Sequence, residues 1–205
     1  MPACWDPAGV QDGCASLTAS DKPKMDFLNP LLTGTLIRRY KRFFADVELD
    51  DGRTVTAHCP NTGRMSSCSE PGWRVALSPA TNPKRKLAYT WELVHNGRCW
   101  ICVNTLLAND IAAEAIRDGH IPELAGYDEI LREKAISRGC RIDLLLRRGD
   151  ETCLVEVKNV TLVGADGAYC FPDAMTARGL KHLRELTAAA NSGIRAVMLF
   201  MIQRT

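Results

Sequence analysis

The residue types most able to do chemistry in this 205-residue chain are concentrated between positions 141 and 162, RIDLLLRRGDETCLVEVKNVTL. Two apolar runs, 142–146 and 153–157, flank the polar segment Arg147-Arg148-Gly149-Asp150-Glu151, whose glycine and charges suit a hairpin connection. Side chains alternate along a strand, so Asp143 points opposite to Ile142 and Leu144. On the second strand Leu154, Glu156 and Lys158 share one face, and Val155 and Val157 the other. Asp143 then comes near Glu156 and Lys158 when both strands turn those faces to the same side. Two carboxylates and an ammonium among apolar neighbours are costly to bury unless they are paired or hold a metal.

An Asp followed on the next strand by Glu-x-Lys is the arrangement of PD-(D/E)xK nuclease-like folds. Asp143 and Glu156 would bind Mg²⁺ or Mn²⁺ through hard oxygen ligands, and Lys158 would position or deprotonate the attacking water. The competing reading is an amphipathic hairpin with a solvated charged face, because an Asp followed later by Glu-x-Lys also arises by chance.

Further candidates surround this stretch. Arg38, Arg39, Tyr40, Lys41 and Arg42, followed by Phe43 and Phe44, mix basic and aromatic side chains in the way that suits phosphate contact and base stacking. A solvated basic strand edge is the plain alternative. Lys84, Arg85 and Lys86 form a second basic cluster, and Arg147-Arg148 a third at the hairpin tip. Arg178 and His182 would face the acidic core from a helix, for use on phosphate, or simply form a polar helix face. The segment 58–63, HCPNTG, is read as either a catalytic loop or a structural one that packs one domain on the other. Cys99-x-x-Cys102 lies in an apparent strand, where positions three apart face opposite sides. With no second such pair, structural thiols are the reading.

The elements that must position these residues follow from periodicity. Segments 35–38, 43–49, 54–58, 72–77, 90–94 and 99–103 read as short strands separated by turn formers, which suggests an OB-like barrel. Residues 106–119 read as a helix with Ile111, Ala115 and Ile116 on its apolar stripe, and 129–135 as a further helical turn. After the central hairpin, 169–173 is extended. Thr176 caps a helix to about residue 191, with Leu180, Leu183, Leu186 and Ala190 as its buried stripe, and 194–202 is a buried strand. The fold class is therefore all-β followed by α/β. The domains expected are a disordered leader at 1–26, the barrel at 27–105 and the nuclease-like domain at 106–205. A net charge of +2 and 46% apolar residues describe an ordinary globular protein whose nucleic-acid footprint must be local. Nine scattered cysteines, no secretory signal and no run long enough to span a bilayer point to a cytoplasmic protein away from membranes.

Taken in order, the motifs resemble the sugar fermentation stimulation protein A family. The matching residues are Arg39-Tyr40-Lys41-Arg42-Phe43, His58-Cys59-Pro60-Asn61-Thr62-Gly63 with Met65, Thr90-Trp91-Glu92-Leu93 and Cys102-Val103-Asn104-Thr105. Arg141-Ile142-Asp143, Glu156-Val157-Lys158, Val160-Thr161-Leu162, Phe171-Pro172-Asp173-Ala174, Arg178-Gly179 and Lys181-His182-Leu183-Arg184-Glu185-Leu186 complete the set. The resemblance covers residues from about 27 onward. It implies an OB-like domain joined to a PD-(D/E)xK nuclease-like domain, DNA binding without clear sequence preference, RNA as a second partner, and a link to maltose or other sugar use. It carries Asp143, Glu156 and Lys158 over as the nuclease-like core. Glu133 then matches an assisting acidic residue on the helix before the first active strand. Cys140 and Asn159 stand where the family usually has Ser, the leader is outside the pattern, and the pattern continues past Thr205, so C-terminal truncation is expected. Two functions follow: a Mg²⁺-dependent DNA or RNA nuclease, or a non-catalytic DNA-binding regulator on a nuclease-derived scaffold. A metal or thiol protein is a distant third.

Overall fold

The computed structural model describes residues 3–5, 27, 29–137, 140–172 and 177–204. Within the stretch expected to be an unstructured leader, Ala3–Trp5 forms strand β1, and most of the remainder lies outside the described residues. This departs from the expectation. A sheet edge offers unpaired backbone groups, and a short segment of any sequence can satisfy them.

Alternation builds the first domain from β2 (Leu32–Tyr40), β3 (Phe44–Leu49), β4 (Thr54–His58), β5 (Arg74–Pro79), β6 (Tyr89–His95) and β7 (Trp100–Cys102). In β3, Ala45, Val47 and Leu49 turn inward while Asp46 and Glu48 turn away. These inward residues join Leu36, Val75, Leu77, Trp91, Val94 and Ile101 in one core. The strand order is β4-β3-β2-β5-β6-β7, and β4 also pairs with β6 in parallel through His58 and Thr90. That pairing closes β2 to β6 into a five-stranded OB barrel. A Cβ at Gly34 would overlap the Glu48 carbonyl oxygen and lie 2.8 Å from Val47 Cγ1, so β2 approaches β3 there only because the side chain is absent. The turn from β2 to β3 passes through Lys41 and Arg42, both left-handed at φ 49° and 65°. That conformation costs a non-glycine residue about 1–2 kcal/mol.

Asn104 leads into the second domain: its Oδ1 accepts the Leu106 amide at 3.0 Å and caps a 3-10 turn, Thr105–Leu107, ahead of α1 (Ala108–Arg117). There follow β8 (Glu129–Ser137), β9 (Cys140–Arg148), β10 (Glu151–Val160), β11 (Leu162–Val163), β12 (Tyr169–Phe171), α2 (Ala177–Asn191) and β13 (Arg195–Ile202). The main sheet has the order β13-β10-β9-β8, with β13 parallel to β10 and the other pairs antiparallel. α1 packs Ala112, Ala113 and Ile116 on one face against Leu144, Leu146, Val155 and Val157. α2 packs Leu186 on the other face against Ile142, Leu145 and Leu154. The domain is thus a mixed α/β layer structure, and a small sheet, β1-β12-β11, lies beside it.

Two local expectations are corrected. Residues 129–135 belong to strand β8, because pairing with β9 along almost its whole length outweighs the helical preference of EILREKA. In α2 the inward side chains are His182 and Leu186, with Ala189 partly buried against the same cluster, whereas Leu180 and Leu183 are each 50% exposed. The helix is turned to bring His182 over the sheet. The Thr176 cap lies outside the described residues. The two domains are pinned at Ser67, whose Oγ donates to the Thr161 carbonyl at 2.9 Å and accepts from Arg204 Nη1 at 3.3 Å, while Arg204 Nη1 also reaches the Thr161 carbonyl at 2.7 Å. Among the described residues no helix is long and apolar enough to cross a membrane.

Candidate functional site

The site lies where the β9–β10 ladder ends. Pairing runs from Arg148 opposite Glu151 to Leu144 opposite Val155, and the next residue on β9 is Asp143. Asp143 continues the attachment with its side chain: Oδ2 accepts the Val157 amide at 2.8 Å. Its Oδ1 accepts from Asn109 Nδ2 on α1 at 3.1 Å. Glu133 on β8 stands opposite Asp143, between the pairs Arg132–Leu144 and Lys134–Ile142, with a left-handed φ of 50°. Its Oε1 accepts from the same Asn109 nitrogen at 3.0 Å, so one amide links both acids.

β10 runs on past the end of that ladder, still held by β13, where Glu156 pairs with Met198 and Lys158 with Phe200. Glu156 is buried, with 1% of its surface exposed. Lys158 Nζ and His182 Nδ1 both contact the same oxygen, Oε1. Oε2 is buried and has no hydrogen-bond partner among the described residues. The Asp143 carboxyl is held above the ordinary aspartate range, first by burial and then by the negative charge of Glu156, against the opposing Val157 amide, Asn109 and Lys158. Asp143 thus touches neither Glu156 nor Lys158 through a hydrogen bond, yet it feels both charges.

This donor set fits a hard cation. Two carboxylates are oxygen ligands, and a bare buried carboxylate oxygen beside a second acid is costly unless something positive meets it. Among the described residues there is no group of three or more His, Cys, Asp or Glu able to hold an ion. A bound ion would therefore draw its remaining ligands from water and substrate, as Mg²⁺ commonly does.

The other candidates divide. Glu133 sits on a strand, correcting the expected helix, and reaches the site through Asn109. His182 is buried against Glu156 and is not placed to meet phosphate at the surface. Arg178 lies exposed on α2. Arg39, expected to contact nucleic acid, is turned onto its own domain: Nη2 donates to the carbonyls of Asn61 at 2.9 Å and Gly63 at 2.8 Å, and Nη1 to that of Arg64. A planar fork of donors matches a loop of outward carbonyls, so this arginine holds segment 59–64 in shape. Arg38 pairs with Asp46 at 2.8 Å and lies over the Tyr40 ring, which stacks on Phe44. Lys41, Arg42, Lys84 and Lys86 are exposed, as is Arg85, which donates to Thr90 Oγ1 at 3.0 Å. At the hairpin tip Arg148 pairs with Glu151. Cys102 is a buried free thiol pushed up to about 12 by burial, which makes it inert.

Sequence reasoning missed Asn109. No local signal marks it, since an asparagine in the first turn of a helix is ordinary; its role appears only when α1 docks over β8 and β9.

Comparison with known proteins sharpens the picture. The family description "SfsA N-terminal OB domain" matches residues 37–103, and "Sugar fermentation stimulation protein RE domain" matches residues 106–205. A sugar fermentation stimulation protein homolog of Geotalea uraniireducens is 54% identical over 175 residues, covering 85% of this chain and 75% of the relative. This chain belongs to the sugar fermentation stimulation protein family. A family homolog of Citrifermentans bemidjiense is 55% identical over 180 residues, covering 88% of this chain and 78% of its own length. Among solved structures, that of Pyrococcus furiosus SfsA in complex with Ca²⁺ matches with a TM-score of 0.76 at 27% identity, covering 86% of this chain and 74% of the other.

Proposed function

We propose that this family member is a metal-dependent phosphodiesterase of the PD-(D/E)xK type, acting in the cytoplasm on DNA bound without sequence preference, with RNA as a second substrate. The observation that carries the reading is Glu156: a buried carboxylate with one oxygen saturated by Lys158 and His182, the other bare, next to an Asp143 whose own ionisation it disfavours. That the Pyrococcus furiosus relative was solved in complex with Ca²⁺, another hard oxygen-seeking ion, supports the choice of cation.

Asp143 and Glu156 would hold Mg²⁺ or Mn²⁺, which when bound supplies Lewis-acid polarisation of a phosphoryl oxygen and a more acidic water. Lys158 orients that water and balances the carboxylate charge. Asn109, itself held by Glu133 of β8, fixes Asp143 from the α1 side. Phosphate contact falls to the exposed Lys41, Arg42, Lys84 and Lys86, and stacking to the Tyr40 and Phe44 pair. The fact that Oε1 already has two donors, and that the described residues hold no group of three or more His, Cys, Asp or Glu able to bind an ion, favours a second reading: a non-catalytic DNA-binding regulator connected with sugar metabolism.

The deciding experiment incubates wild type, Asp143→Ala and Lys158→Ala with labelled single- and double-stranded DNA and RNA, in Mg²⁺, Mn²⁺ or EDTA, with binding followed in parallel. Metal-dependent cleavage lost in both variants while binding persists establishes the phosphodiesterase. Binding without cleavage in every lane selects the regulator, and neither from folded protein removes both.

A further inference from the structure

We propose that His182 is a positioning residue for the cation site. From α2 it fixes the Glu156 carboxylate so that Oε2 alone remains as a metal-binding oxygen. The inference deepens the phosphodiesterase reading and rests on it.

The argument begins with what Lys158 cannot do. A lysine is a point charge on a flexible stem, able to slide between the two oxygens of a carboxylate two residues away on the same strand. Alone it would leave Glu156 free to rotate or to share both oxygens with one ammonium. His182 differs in kind. Its ring is rigid, it is buried, and it sits one turn before Leu186, which anchors α2 in the cluster of Ile142, Leu145 and Leu154. With Glu156 ionised, the contact to Oε1 puts the His182 proton on Nδ1, and that bond fixes the carboxylate plane. Among the described residues Oε1 has two donors and Oε2 none, a lopsided arrangement for a buried carboxylate. Such a bare oxygen is explained when the histidine and lysine hold one oxygen so that the other is presented to a cation. Contacts of this outer kind commonly set metal affinity by 10–100-fold.

The test measures Mn²⁺ binding to the full chain by calorimetry and by electron paramagnetic resonance, without nucleic acid. Wild type is compared with His182→Ala, His182→Asn, which keeps a side-chain N–H donor near the Nδ1 position, and His182→Phe, which keeps the ring but no donor. Circular dichroism and thermal unfolding verify the fold of each. The expected result is Mn²⁺ affinity weakened about 10–100-fold in the Ala and Phe variants and largely recovered in Asn. Where Mn²⁺ is saturating, cleavage by the weakened variants should return towards wild type. Should the alanine variant not fold, the Asn and Phe pair decides alone. Equal affinity in folded Phe and wild-type proteins overturns the inference, and so does an Asn variant as weak as Phe. If wild type binds no Mn²⁺, the inference and the phosphodiesterase reading fall together; if wild type binds and the variants match it, only the inference falls.

Discussion

Burial and the Glu156 charge make a proton on Asp143 more favourable in the folded chain than in the unfolded one. The sign of the linkage follows. Its stabilising contribution is complete below the ordinary value of 3.8 and is lost as pH rises through the raised folded value. At neutral pH the ionised Asp143 therefore costs stability. Asp143→Asn keeps an acceptor for the Val157 amide and loses the charge, so it should unfold at higher urea concentration than wild type at pH 7. The gap should narrow as the pH is lowered towards 4; a constant gap, or a less stable variant at pH 7, would refute the assignment. The nearness of Asp143 to Glu156 and Lys158 was legible, because they are separated by a hairpin whose register sequence periodicity sets. Of the side chains that hold these groups, His182 was legible as facing them from a helix, but Asn109 was not, because it comes from a helix whose rotation over the sheet no strand period encodes. Arg39 was misjudged for a related reason, since a basic side chain in a basic cluster gives no sign that loop carbonyls will enclose it.

At the scale of elements, α2 reaches the site only because Leu186 seats it on the sheet. Leu186→Ala leaves a cavity among Ile142, Leu145 and Leu154 and should cost about 2–4 kcal/mol, read by denaturant unfolding. The same replacement at exposed Leu183 should change stability by no more than about 0.5 kcal/mol. The barrel strands were readable from alternation and turn residues, and the β9–β10 hairpin likewise. β8 was not, because its residues prefer helix and its strand state exists only through β9. The α2 face was misjudged because Leu180 and Leu183 repeat at helical spacing as well as the true inward residues do. What selects between the two stripes is the buried Glu156 beneath, a feature of another element.

For the whole molecule, the exposed basic clusters at Lys41-Arg42 and Lys84 to Lys86 lie on the barrel, while the acidic site, with exposed Arg178 on α2, lies in the second domain. A nucleic-acid strand engaging both must cross the junction pinned by Ser67, Thr161 and Arg204. Lys41→Ala and Arg42→Ala should each weaken DNA binding and lower the slope of log affinity against log salt by about 1. Arg39→Ala should leave that slope unchanged and instead lower thermal stability, because the carbonyls of Asn61 and Gly63 lose their donor. A reduced slope in the Arg39 variant, or an unchanged one in both tip variants, would contradict this division.

The barrel is also unevenly fastened. Its other neighbouring strands share several registered pairs, but β4 and β6 meet at the single pair of His58 and Thr90, with Arg85 bonded across the Thr90 hydroxyl. A cylinder closed by one rung has a latch, and a latch opens more often than a wall. Amide protons flanking Thr90 and His58 should exchange with deuterium faster than those of the β2–β3 pair, through openings far smaller than global unfolding. Arg85→Ala should quicken that exchange locally. A strand of nucleic acid lying on Lys84 to Lys86 should slow it, so the breathing of the latch would report occupancy of the barrel without any label on the ligand.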